Sequence, residues 1–220
     1  MLADANLDGN VPRHKLPANE RRAAIIEAAI DLFSQKGFRG TTTRELAATV
    51  GVSEPVLYQH FATKRELHAA IVDELIGKLQ SEIAEAFEQL AEELPVVEFF
   101  EWLGMQVFGW YLDRSRNVRL MLFSALEGNE LAQMWHERAI QEVGRFVFTY
   151  VQRQIDSGRF REIPADLSAR AFLGMVADYG LATTIFVCPD MGLSPERVIS
   201  SFVDIYLHGV ERREALPLPA

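Results

Sequence analysis

The sequence predicts an all-α protein of about nine or ten helices, with short helices at the N-terminal end and longer ones after them. Three observations carry that expectation. Apolar residues recur three and four positions apart along most of the chain, as one buried face of a helix requires. Helix-start residues stand at Thr42, Ser53, Thr63 and Ser194, and glycines that suit helix ends stand at Gly37 and Gly51. The alternation that marks a half-buried strand is nowhere sustained.

Each element follows in order. A polar tail covers residues 1–17. Ile26, Ala29, Ile30 and Phe33 then form the inner face of a first helix that is expected to end at Gly37. Thr42 stands three residues before Glu45, a capping box, and Leu46, Ala47 and Val50 give the short second helix its inner face up to Gly51. Ser53 is placed to cap a third helix through a side-chain bond to the Val56 N–H. Pro55 falls in its first turn, where a missing donor costs little. Leu57 and Phe61, four apart, are its buried positions, which leaves Glu54, Pro55, Val56, Tyr58 and His60 facing outward or flanking. Thr63 and Glu66 repeat the capping box for a fourth helix running to about Gly77. Longer helices are expected from Ser81 to Glu93, Pro95 to about Leu112, Asn117 to Leu126, Glu130 to Ile155, Ala165 to Phe186 and Pro195 to Arg213.

The chain has 220 residues and a net charge of -9, which alone disfavours nucleic acid as a partner. The charge is unevenly spread, however. Residues 13–78 hold ten Lys and Arg against eight acids, whereas residues 79–220 hold twelve against twenty-one. The two parts are therefore expected to meet different partners. A single cysteine, Cys188, excludes an intrachain disulfide and fits a reducing compartment. The start MLADANLDGN lacks the apolar run of a secretory signal, and no stretch is apolar enough to span a bilayer, so a cytoplasmic, membrane-free protein is expected.

Two short helices joined by a glycine-containing turn, with a third behind them, form a helix-turn-helix, whose second helix has the size to enter the major groove of DNA. The run IIEAAIDLFSQKGFRGTTTRELAATVGVSEPVLYQHFATKRELHAAI resembles the DNA-binding domain of the tetracycline-repressor (TetR) family. The likeness lies in the glycine after helix one, the threonines opening helix two, the Gly-Val-Ser turn and the Leu-Tyr-x-His-Phe followed by Lys. It spans about residues 20–75 without a gap. Expected domains are a helix-turn-helix unit at 18–66, a ligand-sensing and dimerisation unit at 67–214, and a tail at 215–220.

What the resemblance implies is specific. Thr43 and Arg44 would touch phosphates at the start of helix two, Tyr58 and Lys64 around helix three and the start of helix four, with Thr42 and Ser53 as the capping members of that surface. Base reading falls to Glu54, Pro55 and Val56, with Gln59 and His60 as further candidates. Pro55 and Val56 suit thymine methyl groups, and Glu54 can accept from a cytosine amino group. The partner is double-stranded operator DNA, bound by a homodimer.

The resemblance also implies that the last two long helices of each subunit make a four-helix bundle. Ala169, Ala171, Gly174, Ala177, Gly180 and Ala182 permit close approach on one of them, and Val198, Phe202, Ile205 and Tyr206 form the facing stripe on the other. The same small residues would also fit a crowded intrachain core. A pocket for a small, largely apolar effector would be drawn from Trp102, Met105, Phe108, Trp110, Tyr111, Met121, Met134, Trp135, Phe146, Tyr150, Met175, Asp178 and Tyr179, although aromatic and Met residues at helical spacing also serve as plain core. Asp178 either orients a ligand or is a solvated rim acid. Arg114, Arg116 and Arg119 face water, an anionic group, or the DNA-binding domain.

For catalysis the pattern is poor. His14, His60, His68, His136 and His208 are too scattered for a metal site, and neither a Cys-His pair nor a Gly-rich phosphate loop occurs, so no metal, cofactor or enzyme activity is expected. The function expected is a ligand-responsive transcriptional regulator, a repressor released by its effector. A ligand-independent DNA-binding or protein-interaction factor and an α-helical enzyme stand as alternatives.

Overall fold

The computed structural model describes residues 17–77, 94–128, 133–134, 137, 141–186 and 192–211. These residues build nine helices and no strand: α1 Ala18–Gly40, α2 Thr43–Val50, α3 Glu54–His60, α4 at 64–77, α5 Val96–Asp113, α6 Ser115–Leu126, α7 Gln141–Asp156, α8 Ala165–Thr184 and α9 Pro195–Val210. The expected helix at 81–93 lies outside the described residues, as does most of the stretch expected to lead into α7.

Local chemistry sets the N-terminal helices. Thr42 accepts the Glu45 N–H at 3.2 Å while the Glu45 carboxylate accepts the Thr42 N–H at 3.0 Å, so the capping box forms as expected. Gly51 closes α2 in the left-handed region (φ 73°, ψ 31°), with the Val52 N–H reaching the Ala47 carbonyl at 2.9 Å. Ser53 departs from expectation. Its hydroxyl makes no cap bond; its carbonyl instead takes the Val56 and Leu57 N–H groups at 3.0 and 3.1 Å. At the next start the Glu66 N–H donates to Thr63 Oγ1 at 3.0 Å, but the Glu66 carboxylate reaches back to the Ala62 N–H at 2.8 Å, one residue before the position a capping box would use.

Helical geometry breaks at Gly37, where the first helix is expected to end, and a further turn follows the break. Gly37 sits at φ 73°, ψ 173° inside the helix and kinks it, and the last turn runs on to Gly40. A side chain there would meet both an unfavourable backbone conformation and the Glu127 carboxylate packed from the end of α6. The glycine that breaks the helix is therefore also a place where side chains of a distant helix pack closely.

Two apolar clusters result. The N-terminal one gathers Ile25, Ile26, Ile30 and Phe33 of α1, Leu46 of α2, Leu57 of α3, Phe61, and Leu67, Ile71 and Ile76 of α4, with Leu120 of α6 added from the C-terminal half. The second gathers Phe99, Phe100 and Leu103 of α5, Tyr150 of α7, Phe172 and Val176 of α8 and Ile199, Val203 and Tyr206 of α9. Phe99 stacks on Tyr150 with ring centres 3.7 Å apart, and Phe100 meets Phe172 edge-on at 4.8 Å. Burying each such ring contributes about 1.5–3 kcal/mol. Gly104 lets α9 approach α5 closely, since a Cβ there would stand 2.6 Å from Ile199 Cγ2. The pairing Phe160–Glu211, reinforced by the Arg161 N–H to the Val210 carbonyl at 2.9 Å, ties the end of α7 to the end of α9.

The C-terminal half joins the N-terminal cluster where α6 lies along α1. Arg116 bonds Glu27 at 2.7 Å and Asp31 at 2.8 Å, and Arg119 Nε reaches the Ser34 carbonyl at 3.3 Å. At the other end of α6, the Glu127 carboxylate accepts the Arg39 N–H at 3.2 Å and the Arg39 guanidinium donates to the Glu127 carbonyl at 3.2 Å. Between them His68, fully buried on α4, lies 3.2 Å from Ser124 Oγ and stacks on Phe38 with ring centres 5.0 Å apart. Of the three arginines left open by the sequence, Arg116 and Arg119 meet the DNA-binding domain.

Burial, and then the nearby Lys64 charge, push the His68 imidazole down to about 4. The unfolded chain, with an ordinary value near 6.5, takes up its proton first as pH falls, so stability is full above about pH 6.5 and declines toward pH 4. Urea unfolding at pH 7 and pH 4.5 is expected to show a His68 contribution on the order of 2–3 kcal/mol. In His68→Phe, which keeps a ring against Phe38, that part of the pH dependence disappears. An identical pH slope in both chains would remove His68 from this role.

Candidate nucleic-acid interface

The surface of α3 is set by what α3 buries. Leu57 and Phe61 point into the N-terminal cluster, and Arg22 of α1 places its guanidinium over the Phe61 ring at 4.9 Å. The opposite face then presents Pro55, Tyr58 and Gln59 to solvent, with Glu54, Val56 and His60 half-buried beside them. Tyr58 is 46% exposed, a large ring held outside by helical phase. Arg44 on α2 is exposed next to the half-buried Thr43.

Several of these side chains have partners. Thr43 donates its hydroxyl to the Glu54 carboxylate at 2.9 Å, which joins the first turn of α2 to the first turn of α3. The sequence suggests separate DNA contacts for Thr43 and Glu54; the fold makes them a pair. Glu45 is bonded by Lys36 at 2.7 Å and by Thr42, and these bonds lower its carboxyl to about 2, so the α2 cap stays ionised at any physiological pH. Lys64 departs most from expectation. Its ammonium bonds the Phe38 and Thr41 carbonyls at the end of α1 and lies 4.2 Å from the centre of the Phe38 ring, so its charge is already engaged within the chain. Burial lowers its pKa, opposed by the Glu127 and Glu45 charges.

The residues expected to form one effector pocket are divided by the fold. Trp110, Met121 and Met134 pack against the N-terminal cluster, while Phe146, Met175 and Tyr179 pack against the C-terminal one. Phe108 and Tyr150 are buried core, and burial raises the Tyr150 phenol to about 12. Tyr111 lies against Gly180 and meets Trp110 edge-on at 5.2 Å. Asp178 is exposed on α8, the rim position that the sequence left as one of two readings, and Trp135 lies outside the described residues. Trp102 and Met105 do line a cavity, an open groove of about 710 Å³ between the starts of α5 and α9. Its other walls are Glu98, Glu101, Ser194, Glu196, Arg197, Ile199 and Ser200, which apolar periodicity could not nominate because most of them are polar.

The stripe expected to face a second subunit is likewise split. Val198 and Tyr206 are buried in their own chain, with Tyr206 bonded to Ser168 at 2.8 Å, and Phe202 is half-buried against Tyr179 at 5.8 Å. Ile205 is 62% exposed, and Leu167 on α8 is 63% exposed. Among the small residues of α8, Ala169 and Gly180 face inward, whereas Ala171 and Gly174 are exposed.

Comparison with known proteins decides the family. The model for bacterial regulatory proteins of the tetR family matches residues 25–71, and that for the C-terminal domain of AefR-like transcriptional repressors matches residues 113–209. The transcriptional regulator TtgR of Pseudomonas putida is 30% identical over 187 residues, covering 82% of this chain and 87% of TtgR. The chain belongs to the TetR family. As a TetR-family transcription regulator it carries its DNA-binding helix-turn-helix at the N-terminal end. The transcriptional activator FasR of Mycolicibacterium smegmatis is 32% identical over 109 residues, 47% of this chain; the chain spans only 50% of FasR. A TetR-family regulatory protein from Rhodococcus RHA1 superposes with a TM-score of 0.69 at 20% identity, over 89% of this chain and 99% of that one. AibR, solved in complex with isovaleryl coenzyme A and operator DNA, does so at 0.64 and 20% identity, over 84% and 97%. Both likenesses are of fold. No described helix is long and apolar enough to cross a membrane.

The Thr43–Glu54 pair generates a test. Glu54→Gln keeps an acceptor for Thr43 but removes the negative charge from the recognition face, so affinity for random DNA is expected to rise at low salt. If Glu54 also accepts from a cytosine, preference at that base pair relaxes by about 1–3 kcal/mol. Binding to random and selected sequences, measured side by side, separates the two effects; unchanged affinity for both would place Glu54 outside the interface.

Proposed function

We propose that the chain is a homodimeric, effector-responsive repressor that occupies a palindromic operator and leaves it when a small, largely apolar molecule binds the C-terminal body. One observation carries the DNA-binding half: α3 is anchored by Leu57 and Phe61 and turns Pro55, Tyr58 and Gln59 outward beside exposed Arg44. Tyr58 and Arg44 reach phosphates and set register, while Pro55, Val56 and Glu54 meet base edges. Lys64 serves as a brace between α4 and α1 in the free protein. Repression is favoured by the C-terminal match to AefR-like repressors, and effector binding by the fold shared with AibR, which holds isovaleryl coenzyme A. A cytoplasmic location accords with this role.

The dimer is assigned to the outer faces of α8 and α9, where Leu167, Ala171, Gly174 and Ile205 leave apolar surface and room for close helix approach. Two-fold symmetry then places two copies of α3 one helical turn of DNA apart. Release follows by population shift: an effector lowers operator affinity to the extent that it prefers a conformation in which those two helices no longer match successive major grooves.

Selection of bound sequences from random DNA, followed by titration of the recovered site, tests the reading; it is expected to return a palindrome. Arg44→Ala should weaken operator and random DNA alike and flatten the salt dependence by about one unit of slope. Ile205→Glu should give monomers by light scattering with a melting temperature close to that of the parent, because Ile205 is not part of its own chain's core. A dimeric Ile205→Glu protein would move the interface elsewhere.

A further inference from the structure

We infer that Lys64 and Glu127 form a clamp on the α1–α2 connection that positions α2 for phosphate contact, and that Lys64 acts on DNA binding without giving its own charge to a phosphate. The inference rests on the phosphate role proposed for α2 and deepens it. The connection runs from the break at Gly37 to the cap at Thr42, two residues before Arg44. Two helices from elsewhere in the chain grip its peptide groups from opposite polarities. From the start of α4, the Lys64 ammonium donates to the Phe38 and Thr41 carbonyls. From the end of α6, the Glu127 carboxylate accepts the Arg39 N–H at 3.2 and 3.3 Å. The Arg39 guanidinium returns a bond to the Glu127 carbonyl at 3.2 Å, and the buried Thr41 hydroxyl closes the turn on the Gly37 carbonyl at 2.9 Å.

Each grip suits what it holds. A helix end leaves carbonyls that need donors, and an ammonium offers three. Lys64 uses its donors on the connection and rests 4.2 Å from the centre of the Phe38 ring and 5.6 Å from that of Phe33. Reaching a phosphate would mean leaving both carbonyls and both rings. Glu127 brings the opposite charge to a backbone N–H, and a Cβ at Gly37 would overlap its carboxylate, so the glycine is what lets the acid come this close. The Glu127 and Glu45 charges both favour the protonated Lys64 against the effect of its burial. Glu45 is also the acid of the capping box that starts α2. The Lys64 charge is therefore balanced in place, by groups that hold the two ends of the connection. The other polar tie of α6 differs, since Arg116 holds α1 at Glu27 and Asp31, before the break.

The test follows binding of the full-length protein to a labelled random-sequence duplex by fluorescence anisotropy across a salt series, a probe that requires no operator. Lys64→Met keeps a chain of similar length beside the Phe38 ring. It is expected to bind about tenfold more weakly than the parent with an unchanged salt slope, whereas loss of a lysine that contacts phosphate would flatten the slope by about one unit. Glu127→Ala removes an acid, which by charge alone would strengthen binding; the clamp predicts binding about tenfold weaker. The double variant should bind no more weakly than the weaker single variant, because both residues act through one connection. Arg116→Gln, which loosens the other tie of α6, should bind like the parent. Amide hydrogen exchange of the free protein reads the clamp without DNA. The Arg39 N–H is expected to exchange about tenfold faster in Glu127→Ala and in Lys64→Met, while the Ile30 N–H in the core of α1 keeps its rate and so shows that the variants remain folded. A slope flattened by Lys64→Met, binding strengthened by Glu127→Ala, additive losses in the double variant, an equal loss in Arg116→Gln, or unchanged Arg39 exchange overturns the inference. A parent that binds no duplex overturns the DNA-binding reading and the clamp's role together; a parent that binds while the variants behave otherwise than expected overturns the clamp alone.

Discussion

The packing of α6 along α1 is the constraint on which the rest of this structure depends. The α1 helix is the back wall of the DNA-binding unit, since Ile26, Ile30 and Phe33 cover Leu46, Leu57 and Phe61. The α6 helix belongs by sequence to the C-terminal half, yet Leu120 sits in that same cluster and both ends of α6 are bonded to α1. The polar bonds are the visible part, but Arg116, Glu27 and Asp31 are each about half exposed, and such pairs contribute roughly 0–1 kcal/mol apiece. Most of the cohesion comes from buried apolar surface, with His68 packed between Phe38 and Ser124 inside it. The salt bridges fix how α6 is oriented; the apolar seam fixes that it stays.

That division explains how a sensor could act on DNA through such a small unit. The first three helices share one core and cannot easily shear against one another, because interiors are close-packed and side chains interlock. Displacing α6 therefore turns α1, α2 and α3 together. The Thr43–Glu54 bond and the Lys64 contacts with the end of α1 add polar ties inside the same body. On the proposed reading, reorienting α3 by a small angle changes which phosphates Tyr58 reaches and which base edges Pro55 meets without breaking anything within the unit. A two-state mechanism needs a rigid reader and a seam that can take two settings, and the short exposed bonds of Arg116 and Glu127 are of the strength that such a seam requires.

Legibility in the sequence follows distance along the chain. The Thr42–Glu45 box, the left-handed Gly51 and the placement of Pro55 are decided within five residues, and all are visible from residue types alone. Ser53 misleads within the same range, because its carbonyl satisfies the first turn and leaves the hydroxyl with no donor to cap. Lys64 is unreadable from its neighbours, since its partners Phe38 and Thr41 lie more than twenty residues away. At Gly37 the break is legible but the crowding is not, since the Glu127 side chain that lies against it is ninety residues distant. The apolar stripes fail in a different way. Helical spacing shows that Val198, Phe202, Ile205 and Tyr206 lie on related faces, but only the position of α5 and α8 decides that Val198 and Tyr206 turn inward and Ile205 outward. The same holds for Trp110, whose side chain joins the N-terminal cluster although its helix belongs to the C-terminal body.

Charge distribution completes the physical account. A chain with net charge -9 approaches DNA against repulsion, and its basic excess is confined to residues 13–78. Only orientations that lead with the helix-turn-helix are therefore favoured, and the acidic body helps to select them by repelling phosphate. The acids have local uses as well. Glu27 and Asp31 hold Arg116, Glu127 holds the end of α1, and Glu98, Glu101 and Glu196 rim the groove. Neutralising Glu27, Asp31 or Glu127 to strengthen DNA binding would weaken the seam. Part of the negative charge is thus held by contacts that join the two halves, and on the proposed reading the exposed Arg44 is one of the cations left to meet DNA.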